Sequence, residues 1–186
     1  AELLGTDYMD FYWIHNPMYA PKWVTELIPL AKSGKIGKIG LSNHSLAEIK
    51  EAADILAKEG LKISAIQNHY SLLNRSSETS GILDYCKEND ITFFSYMVLE
   101  QGALTGKYDT EHPFPENSDR GRTYNPMLPK LEKLNKGLEE IADRHHVATA
   151  QIPVASAIAK GTLPIIGVTK VYQVEVHIFT LKINSN

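Results

Sequence analysis

The sequence predicts an α/β fold with a parallel sheet of the barrel type, and three observations support this prediction. Short apolar runs alternate with segments of helical periodicity, which is typical of βαβ crossovers and a parallel sheet. No GxGxxG follows the first apolar run, which disfavours a doubly wound dinucleotide-binding sheet. Each run ends in a polar residue or a glycine, as expected where the C-terminal strand ends of a barrel meet at a site.

The predicted elements follow one another at roughly 25 to 30 residues per strand–helix unit. Five apolar runs are predicted to be strands, at residues 10–15, 36–41, 63–67, 91–96 and 163–166. Segments of helical spacing are predicted to be helices, at residues 21–33, 46–59, 79–88, 131–141 and 149–160. The chain is therefore expected to contain about five βα units.

Local signals at the helix ends support these predictions. Pro21 suits the first turn of a helix, and Gly34 is a typical stop. Ser45 and Glu48 are three residues apart and predict a capping box. Gly60 ends the helix that this box begins, so both of its ends are predicted.

Two segments depart from the alternating pattern. Residues 100–127 are rich in Gly, Pro, Asp and Asn and are predicted to form a long loop. A loop of that length inside a compact domain is usually functional or mobile. Residues 176–186 alternate like a strand and lack a helical pattern, so a strand is expected there.

The composition excludes several classes of function. The 186 residues are 43% hydrophobic and 22% charged, with a net charge of -3, as in ordinary globular proteins. No basic run suits nucleic acid, and no apolar stretch is long enough to span a membrane, so neither partner is expected. Cys86 is the single cysteine, so a disulfide framework is excluded and a cytoplasmic location is expected.

Polar groups stand where the predicted strands end. They are His15, Ser42 with Asn43, Gln67 with Asn68, Tyr96 and Gly167. Donors and acceptors drawn from different strands would hold a polar ligand at one face of a barrel. A single polar strand end is common by chance, so the prediction of a site depends on the whole set.

Four segments that contain these residues resemble the aldo-keto reductases, in the family's order and spacing. They read LGTDYMDFYWIH at 4–15, GKIGKIGLSN at 34–43, YMVLEQGALTGKY at 96–108 and LPIIGVTKVYQVE at 163–175. The resemblance implies a (β/α)8 barrel of the TIM type that binds NADP(H) without a Rossmann motif and reduces aldehydes or ketones. In the family three strands precede the first of these segments, so an incomplete, truncated barrel is expected here.

The family's catalytic tetrad of Asp, Tyr, Lys and His is matched in this sequence by His15 alone. In the family the Tyr is the general acid, the Lys lowers its pKa, the Asp supports the Lys and the His orients the carbonyl. The other three residues belong upstream of the first matched segment. The resemblance therefore implies that His15 orients a small carbonyl substrate, and it leaves the activity of this chain alone open.

The resemblance implies a fuller set of cofactor residues, and no metal. Ser42, Asn43 and Gln67 would hydrogen-bond the nicotinamide carboxamide, and Tyr96 would stack on the nicotinamide ring. The expected pyrophosphate residues are Leu99, Gln101, Gly102, Leu104, Lys107 and the clamp residue Arg120, which is better spaced from Lys107 than Arg122 is. The residues expected around the 2′-phosphate and adenine are Gly167, Thr169, Lys170 and Gln173. A cation at that phosphate favours NADP over NAD.

The sequence departs from the family pattern at several positions. His44 stands where an aromatic residue is usual, Ser156 where the family has a tryptophan, and Val98 where it has a proline. The tail also does not match. Residues 1–175 are therefore predicted to be a partial aldo-keto reductase barrel, and residues 176–186 a divergent tail of the kind that a frameshift produces.

Two other functions stay open. The chain could be a non-catalytic nucleotide-binding or interaction fragment of that barrel, because it keeps the cofactor residues and lacks the acid. Another α/β-barrel enzyme, such as an aldolase or a lyase, is less favoured, because no strand ends in lysine and His145–His146 has no third metal ligand. Five strands would leave two open sheet edges, so self-association is expected.

Overall fold

The computed structural model describes residues 5–180 of the chain. These residues form two compact units. The first unit contains the described residues up to His69 and Arg75–Phe94, and the second contains Tyr70–Asn74 and the described residues from Ser95 onward.

The strands form one five-stranded sheet in the order β1-β2-β3-β4-β5. Their bounds are Met9–Ile14, Ile36–Ser42, Ile63–His69, Thr92–Tyr96 and Leu163–Pro164. β1 pairs with β2 and β2 with β3 in parallel. Each strand lies beside the next one in the sequence, which is the order of a (β/α) barrel and not the reversed order of a doubly wound sheet. The predicted fold class is confirmed.

Eight helices are described, most of them between strands. Their bounds are α1 Ala20–Lys32, α2 Leu46–Ala57, α3 Ser76–Thr79, α4 Ile82–Glu88, α5 Asp119–Tyr124, α6 Leu128–His145, α7 Gln151–Ala159 and α8 Val171–Thr180. Among residues 5–180, none of these helices has both the length and the apolar character to cross a membrane.

Glycines of β2 allow the aromatic residues of β1 to pack in the first unit. The rings of Phe11 and Trp13 stack with their centroids 4.7 Å apart. A Cβ atom on Gly40 would lie 2.4 Å from the Trp13 ring, and one on Gly37 would lie 2.1 Å from the Tyr8 hydroxyl. The repeated glycines of the sequence GKIGKIG therefore have a packing role. Because they carry no side chain, the backbone of β2 can lie close to the bulky aromatic side chains at β1.

The capping box predicted for α2 is confirmed. The Ser45 hydroxyl accepts a hydrogen bond from the Glu48 backbone N–H, and the Glu48 carboxylate accepts one from the Ser45 backbone N–H at 2.7 Å. These bonds hold the pKa of Glu48 below its ordinary value. The helix begins at Leu46, four residues after β2 ends at Ser42, so the cap determines where the chain turns away from the strand end.

An apolar cluster around α6 forms the core of the second unit. Its buried members include Leu104, Phe114, Tyr124, Leu128, Leu131, Leu138 and Ala142. The rings of Tyr108 and Phe114 stack with their centroids 3.7 Å apart, and the Asn125 carboxamide bonds the backbone of Phe114 in both directions at 3.0 Å. The loop between β4 and α5 is therefore packed on the core and is not an open excursion.

The structure corrects three of the predicted elements. The stretch 100–127 is not one loop, because it contains α5 and two short 3₁₀ turns, Glu100–Gly102 and Asn125–Met127. The helix predicted at 79–88 begins later, at Ile82, and a separate short helix, Ser76–Thr79, precedes Gly81, which has a φ of 83°. A six-residue helix is too short to show an apolar period, and so α5 escaped the pattern.

The third correction concerns the tail. Residues 176–180, predicted as part of a strand, belong to the helix α8, which begins at Val171 and continues through Glu175. The Gln151 side chain of α7 donates a hydrogen bond to the carbonyl of Val176 at 2.9 Å, so tertiary contacts support the helix. Residues 181–186 lie outside the described part of the chain, and the divergent origin of the tail stays a prediction.

Two helical glycines provide a matched test of this packing. A Cβ on Gly121 in α5 would lie 2.2 Å from the backbone oxygen of Pro115, whereas a Cβ on Gly137 in α6 would meet nothing within 4 Å. We expect Gly121→Ala to lower the free energy of unfolding by about 1–3 kcal/mol through overpacking. We expect Gly137→Ala to raise it by about 0.5–1 kcal/mol, because alanine favours the helix. Urea denaturation of both variants measures this, and equal stabilities would contradict the packing described for α5.

Candidate functional site

The ends of β1, β2 and β3 bring four of the predicted site residues together in the first unit. The Asn43 side chain donates a hydrogen bond to the carbonyl of His15 at 2.9 Å. The Ser42 hydroxyl and the Asn43 backbone N–H both donate to the carbonyl of Gln67, at 2.8 and 3.1 Å. The parallel register that places Ser42 opposite Gln67 produces this arrangement.

These four residues differ in what they can offer a ligand. The His15 side chain is exposed and that of Gln67 is half-buried. Ser42 is buried, and its hydroxyl stabilises the Gln67 backbone. Asn43 has a left-handed backbone with a φ of 64°, a conformation that asparagine tolerates. The group therefore presents an imidazole and a carboxamide on a backbone that is already hydrogen-bonded.

His44 is a buried residue of this strand end that was not predicted as a site residue. Its Nδ1 atom lies 2.7 Å from the carbonyl oxygen of Ser42, so Nδ1 carries the proton and donates. The Asn68 side chain bonds both the N–H and the carbonyl of His44, at 3.2 and 2.8 Å. Within residues 5–180, Nε2 is buried without a hydrogen-bond partner.

Burial holds the pKa of His44 below its ordinary value of 6.5, although the Ser42 carbonyl and the nearby Glu48 act in the opposite direction. The side chain is only 1% exposed and is therefore neutral in the folded protein near neutral pH. An aromatic residue at this position would fill the same space without titrating.

The second unit contains a pocket of about 770 Å³. Predicted cofactor residues that line it are Leu99, Gln101, Gly102, Lys107, Arg120, Gly167, Thr169 and Gln173. Three other predicted residues of this unit do not line it. Leu104 is fully buried in the core, Tyr96 is half-buried at the end of β4, and Lys170 is exposed beside Thr169.

The pocket wall after β4 has an uncommon backbone. Met97, Glu100 and Gln101 have φ values of 60°, 47° and 52°, and Gly102 has a φ of 102°. A non-glycine residue in the left-handed region costs of order 1–3 kcal/mol, and such residues cluster at ligand clamps. The turn is closed by hydrogen bonds from the Glu100 N–H to the Met97 carbonyl at 2.8 Å and from the Gly102 N–H to the Leu99 carbonyl at 2.9 Å.

Glu100 is a second residue that the sequence analysis did not assign. Its carboxylate accepts hydrogen bonds from the hydroxyls of Ser71 and Tyr124, the latter at 2.7 Å. Burial raises the pKa of the Tyr124 phenol, and the adjacent carboxylate adds to that increase. In the sequence, Glu100 lies between an apolar residue and a glycine-rich turn. This local pattern does not reveal that Ser71 and Tyr124 bond to its carboxylate.

The two arginines of α5 have different surroundings. Arg120 lines the pocket, with its guanidinium 5.8 Å from the centroid of the Phe114 ring. Arg122 is exposed, pairs with Asp119, and donates to the carbonyl of Asn117 at 3.2 Å. Arg120 therefore directs its charge at the pocket, whereas Arg122 stabilises the start of its own helix.

The pocket also contains the beginning of α8. The Gln173 side-chain oxygen accepts hydrogen bonds from the backbone N–H groups of Thr169 and Lys170, at 2.8 and 3.0 Å. Gln173 thus caps the helix. One turn later His177 lines the same pocket, and burial lowers its pKa. His177 belongs to the segment predicted as a divergent tail and was not predicted as a site residue.

This pocket suits an anionic ligand. Lys107 and Arg120 supply two cations, Gly102 and Gly167 allow close approach to the backbone, and a helix N-terminus favours negative charge. A phosphate at that terminus would take the N–H groups that Gln173 holds. The exposed imidazole and the carboxamide of the first unit suit a carbonyl compound and an amide.

Comparison with known proteins identifies the family. The model of the aldo/keto reductase family matches residues 1–185. The chain belongs to this family.

The curated relatives are oxidoreductases of the same family. An NADP(+) aldo-keto reductase of Schizosaccharomyces pombe is 32% identical over 97% of this chain and 54% of its own length. The chloroplastic pyridoxal reductase of Arabidopsis thaliana is 32% identical over 80% of this chain and 40% of its own. The chain thus spans about half the length of the curated relatives that it matches.

Solved structures share the fold. A glycerol dehydrogenase from Gluconobacter oxydans superposes with a TM-score of 0.82 over 93% of this chain and 53% of its own, at 23% identity. A thermostable aldo-keto reductase in complex with the inhibitor epalrestat superposes with a TM-score of 0.76 over all of this chain and 58% of its own, at 25% identity. The five βα units therefore correspond to part of the (β/α)8 barrel of these enzymes.

His44 should make stability depend on pH. Its folded pKa is depressed, so the unfolded chain binds the proton more readily, and stability is lost as the pH falls below about 6.5. This residue alone can add a slope of up to about 1.4 kcal/mol per pH unit. We expect His44→Phe to remove that part of the slope between about pH 5 and pH 7.5, measured by urea denaturation.

Replacing the exposed His145 by glutamine is the matched control and should keep the wild-type slope. If His44→Phe retains the full wild-type slope, the buried neutral imidazole is not its source.

Proposed function

We propose that the chain binds NADP(H) and forms the nucleotide-holding part of a reductase that acts on aldehydes or ketones. The observation that carries this proposal is the pocket of the second unit, which brings together Gly102, Lys107, Arg120, Thr169 and Gln173 from three separate segments. Membership of the aldo/keto reductase family supports it, because one relative carries NADP(+) in its name.

The residues have distinct proposed roles in the nucleotide site. Lys107 and Arg120 neutralise the pyrophosphate, and the turn at Leu99–Gly102 places backbone against it. Thr169 and Lys170, at the start of α8, hold the 2′-phosphate that distinguishes NADP from NAD. Leu104 contributes through its backbone and the shape of the turn, since its side chain is in the core.

In the first unit, the proposed role of Asn43 and Gln67 is to offer amide groups to the nicotinamide carboxamide, with Ser42 supporting their backbone. Tyr96 provides the aromatic face for the ring. The nicotinamide, when bound, supplies a hydride to the carbonyl carbon. His15 orients the carbonyl oxygen, and a separate proton donor must then protonate the alkoxide.

Aldehydes are the proposed substrate class. Curated relatives include a pyridoxal reductase and an L-glyceraldehyde 3-phosphate reductase from Escherichia coli, and both names denote aldehydes. His15 is the one residue of the family tetrad matched in this sequence, so the reductase role also requires an acid, a lysine and an aspartate that the sequence does not match.

A non-catalytic nucleotide-binding role is the second candidate. It is supported by the phosphate pocket, which lies wholly in the second unit and needs none of the missing tetrad residues. Incubation with NADPH, followed by a generic aldehyde, separates the two. Consumption of NADPH favours the reductase, binding without consumption favours the second role, and no binding excludes both.

We also propose self-association or pairing with further strands at the sheet edges. β1 and β5 lie at the two ends of the sheet order, and Tyr8 and Tyr12 near the β1 edge are exposed. Strand edges present backbone groups that can pair with another chain. Sedimentation velocity should show concentration-dependent association of the chain. A monodisperse monomer with a sharp, reversible thermal transition would contradict this proposal.

A reducing compartment such as the cytoplasm fits the single buried thiol of Cys86.

The two arginines of α5 test the nucleotide site. We expect Arg120→Ala to weaken NADPH binding about tenfold to a hundredfold, because a charge-assisted bond to phosphate is lost. We expect Arg122→Ala to leave the dissociation constant within about twofold, since Arg122 pairs with Asp119 on the surface. Titration of NADPH fluorescence measures both. Equal weakening by the two variants would show that general surface charge holds the nucleotide.

A further inference from the structure

Among the residues that the structure describes, Glu100 is the one acidic side chain that is buried, at 4% exposure. It lies at the turn beside the pocket, yet it does not line the pocket. A carboxylate near a phosphate site is electrostatically unfavourable unless its charge is satisfied and directed elsewhere. Contact with a ligand in the pocket therefore does not explain why a glutamate lies at this position.

The Glu100 carboxylate connects three segments of the second unit. Its own backbone belongs to the turn after β4. One oxygen accepts from Ser71, whose hydroxyl also accepts from the N–H groups of Leu73 and Asn74, at 3.1 and 3.0 Å. The other oxygen accepts from Tyr124 at the end of α5, at 2.7 Å.

Ser71 and Tyr124 both donate a hydroxyl proton to Glu100, and a carboxylate suits two such donors. The Ser71 hydroxyl donates one proton to Glu100 while its lone pairs take the turn N–H groups. An ionised carboxylate has only acceptors and satisfies two donors at once. A carboxamide would direct its NH₂ group at one of the two hydroxyls.

These bonds hold two walls of the pocket. Gln101 and Gly102, the residues after Glu100, form one wall, and Arg120 on α5, four residues before Tyr124, forms another. Residues four apart lie on the same face of a helix, so anchoring Tyr124 also places Arg120. The left-handed backbone at Glu100 and Gln101 needs such an external constraint in order to persist.

We propose that Glu100 is a positioning residue that holds the turn 99–102 and Arg120 at the spacing required by the pyrophosphate of a dinucleotide. The inference rests on the proposed NADP(H) function and adds to it a residue that does not contact the ligand. Preorganisation of this kind raises affinity by removing the cost of ordering the site on binding.

The test compares a ligand that has a pyrophosphate with one that has none. NADPH and adenosine 2′-monophosphate are titrated against the full chain and its variants by calorimetry. We expect Glu100→Ala to weaken NADPH about tenfold or more and to leave adenosine 2′-monophosphate within about twofold. A general loss of structure would weaken both ligands together, so the ratio of the two constants identifies a positioning role.

Conservative variants separate the bonds from the fold. Glu100→Gln keeps one acceptor and should lose about threefold in NADPH affinity, between wild type and Glu100→Ala. Tyr124→Phe removes one donor and should lower the NADPH affinity in the same selective way. If Glu100→Ala does not fold, these two variants carry the test, and unchanged ratios in both overturn the proposal.

Asp90 supplies the matched control, because it also has a left-handed φ, of 54°, but is an exposed residue that pairs with Lys62. Asp90→Ala should leave both constants unchanged. If the wild-type chain binds NADPH and Glu100→Ala keeps the wild-type ratio, the positioning role is wrong and the proposed function stands. If the wild-type chain binds neither ligand, the proposed function fails, and this inference fails with it.

Discussion

The left-handed turn at Met97–Gly102 is the constraint on which the candidate nucleotide pocket depends. It places the residues after β4 against the pocket instead of along a continuing strand or helix. Such a backbone is unfavourable for methionine, glutamate and glutamine, so its free energy must be supplied by other contacts. The buried bonds of Glu100 to Ser71 and Tyr124 are the contacts available, together with the burial of Val98 and Leu104 on either side.

In the first unit the corresponding constraint is the parallel register of β2 and β3. It places the carbonyl of Gln67 where Ser42 and Asn43 both donate to it, and it leaves the His15 imidazole exposed at the neighbouring strand end. The Asn68 side chain bonds the backbone N–H and carbonyl of His44, and these bonds fix the ends of β2 and β3 next to these residues. The polar side chains at these strand ends are therefore of two kinds. His15 is exposed and Gln67 is half-buried, whereas Ser42 and Asn68 are buried and hold the strand ends in place.

The parts predicted correctly from the sequence depend on short-range rules. The alternation of apolar runs predicted all five strands, and the spacing of Ser45 and Glu48 predicted a capping box that the structure contains. Residues with long-range partners were not predictable in this way. Glu100 is significant because of Ser71, 29 positions earlier, and Tyr124, 24 positions later, and no local pattern reveals that three segments meet there. The helix α5 was missed for a different reason: its six residues, which pack on Phe114, are too few to show an apolar period.

At the end of the described chain, local sequence preference and tertiary contacts favour different secondary structures, and the tertiary contacts prevail. Val176 and Ile178 are residues that favour strands, and the alternation of residues 176–186 alone predicted one. Gln173 nevertheless caps the helix at Thr169 and Lys170, and Gln151 of α7 bonds the helix near its other end. Because these contacts fix α8 as a helix, Gln173 and His177 lie one turn apart on the pocket wall. The secondary structure of this segment therefore decides which of its side chains line the pocket.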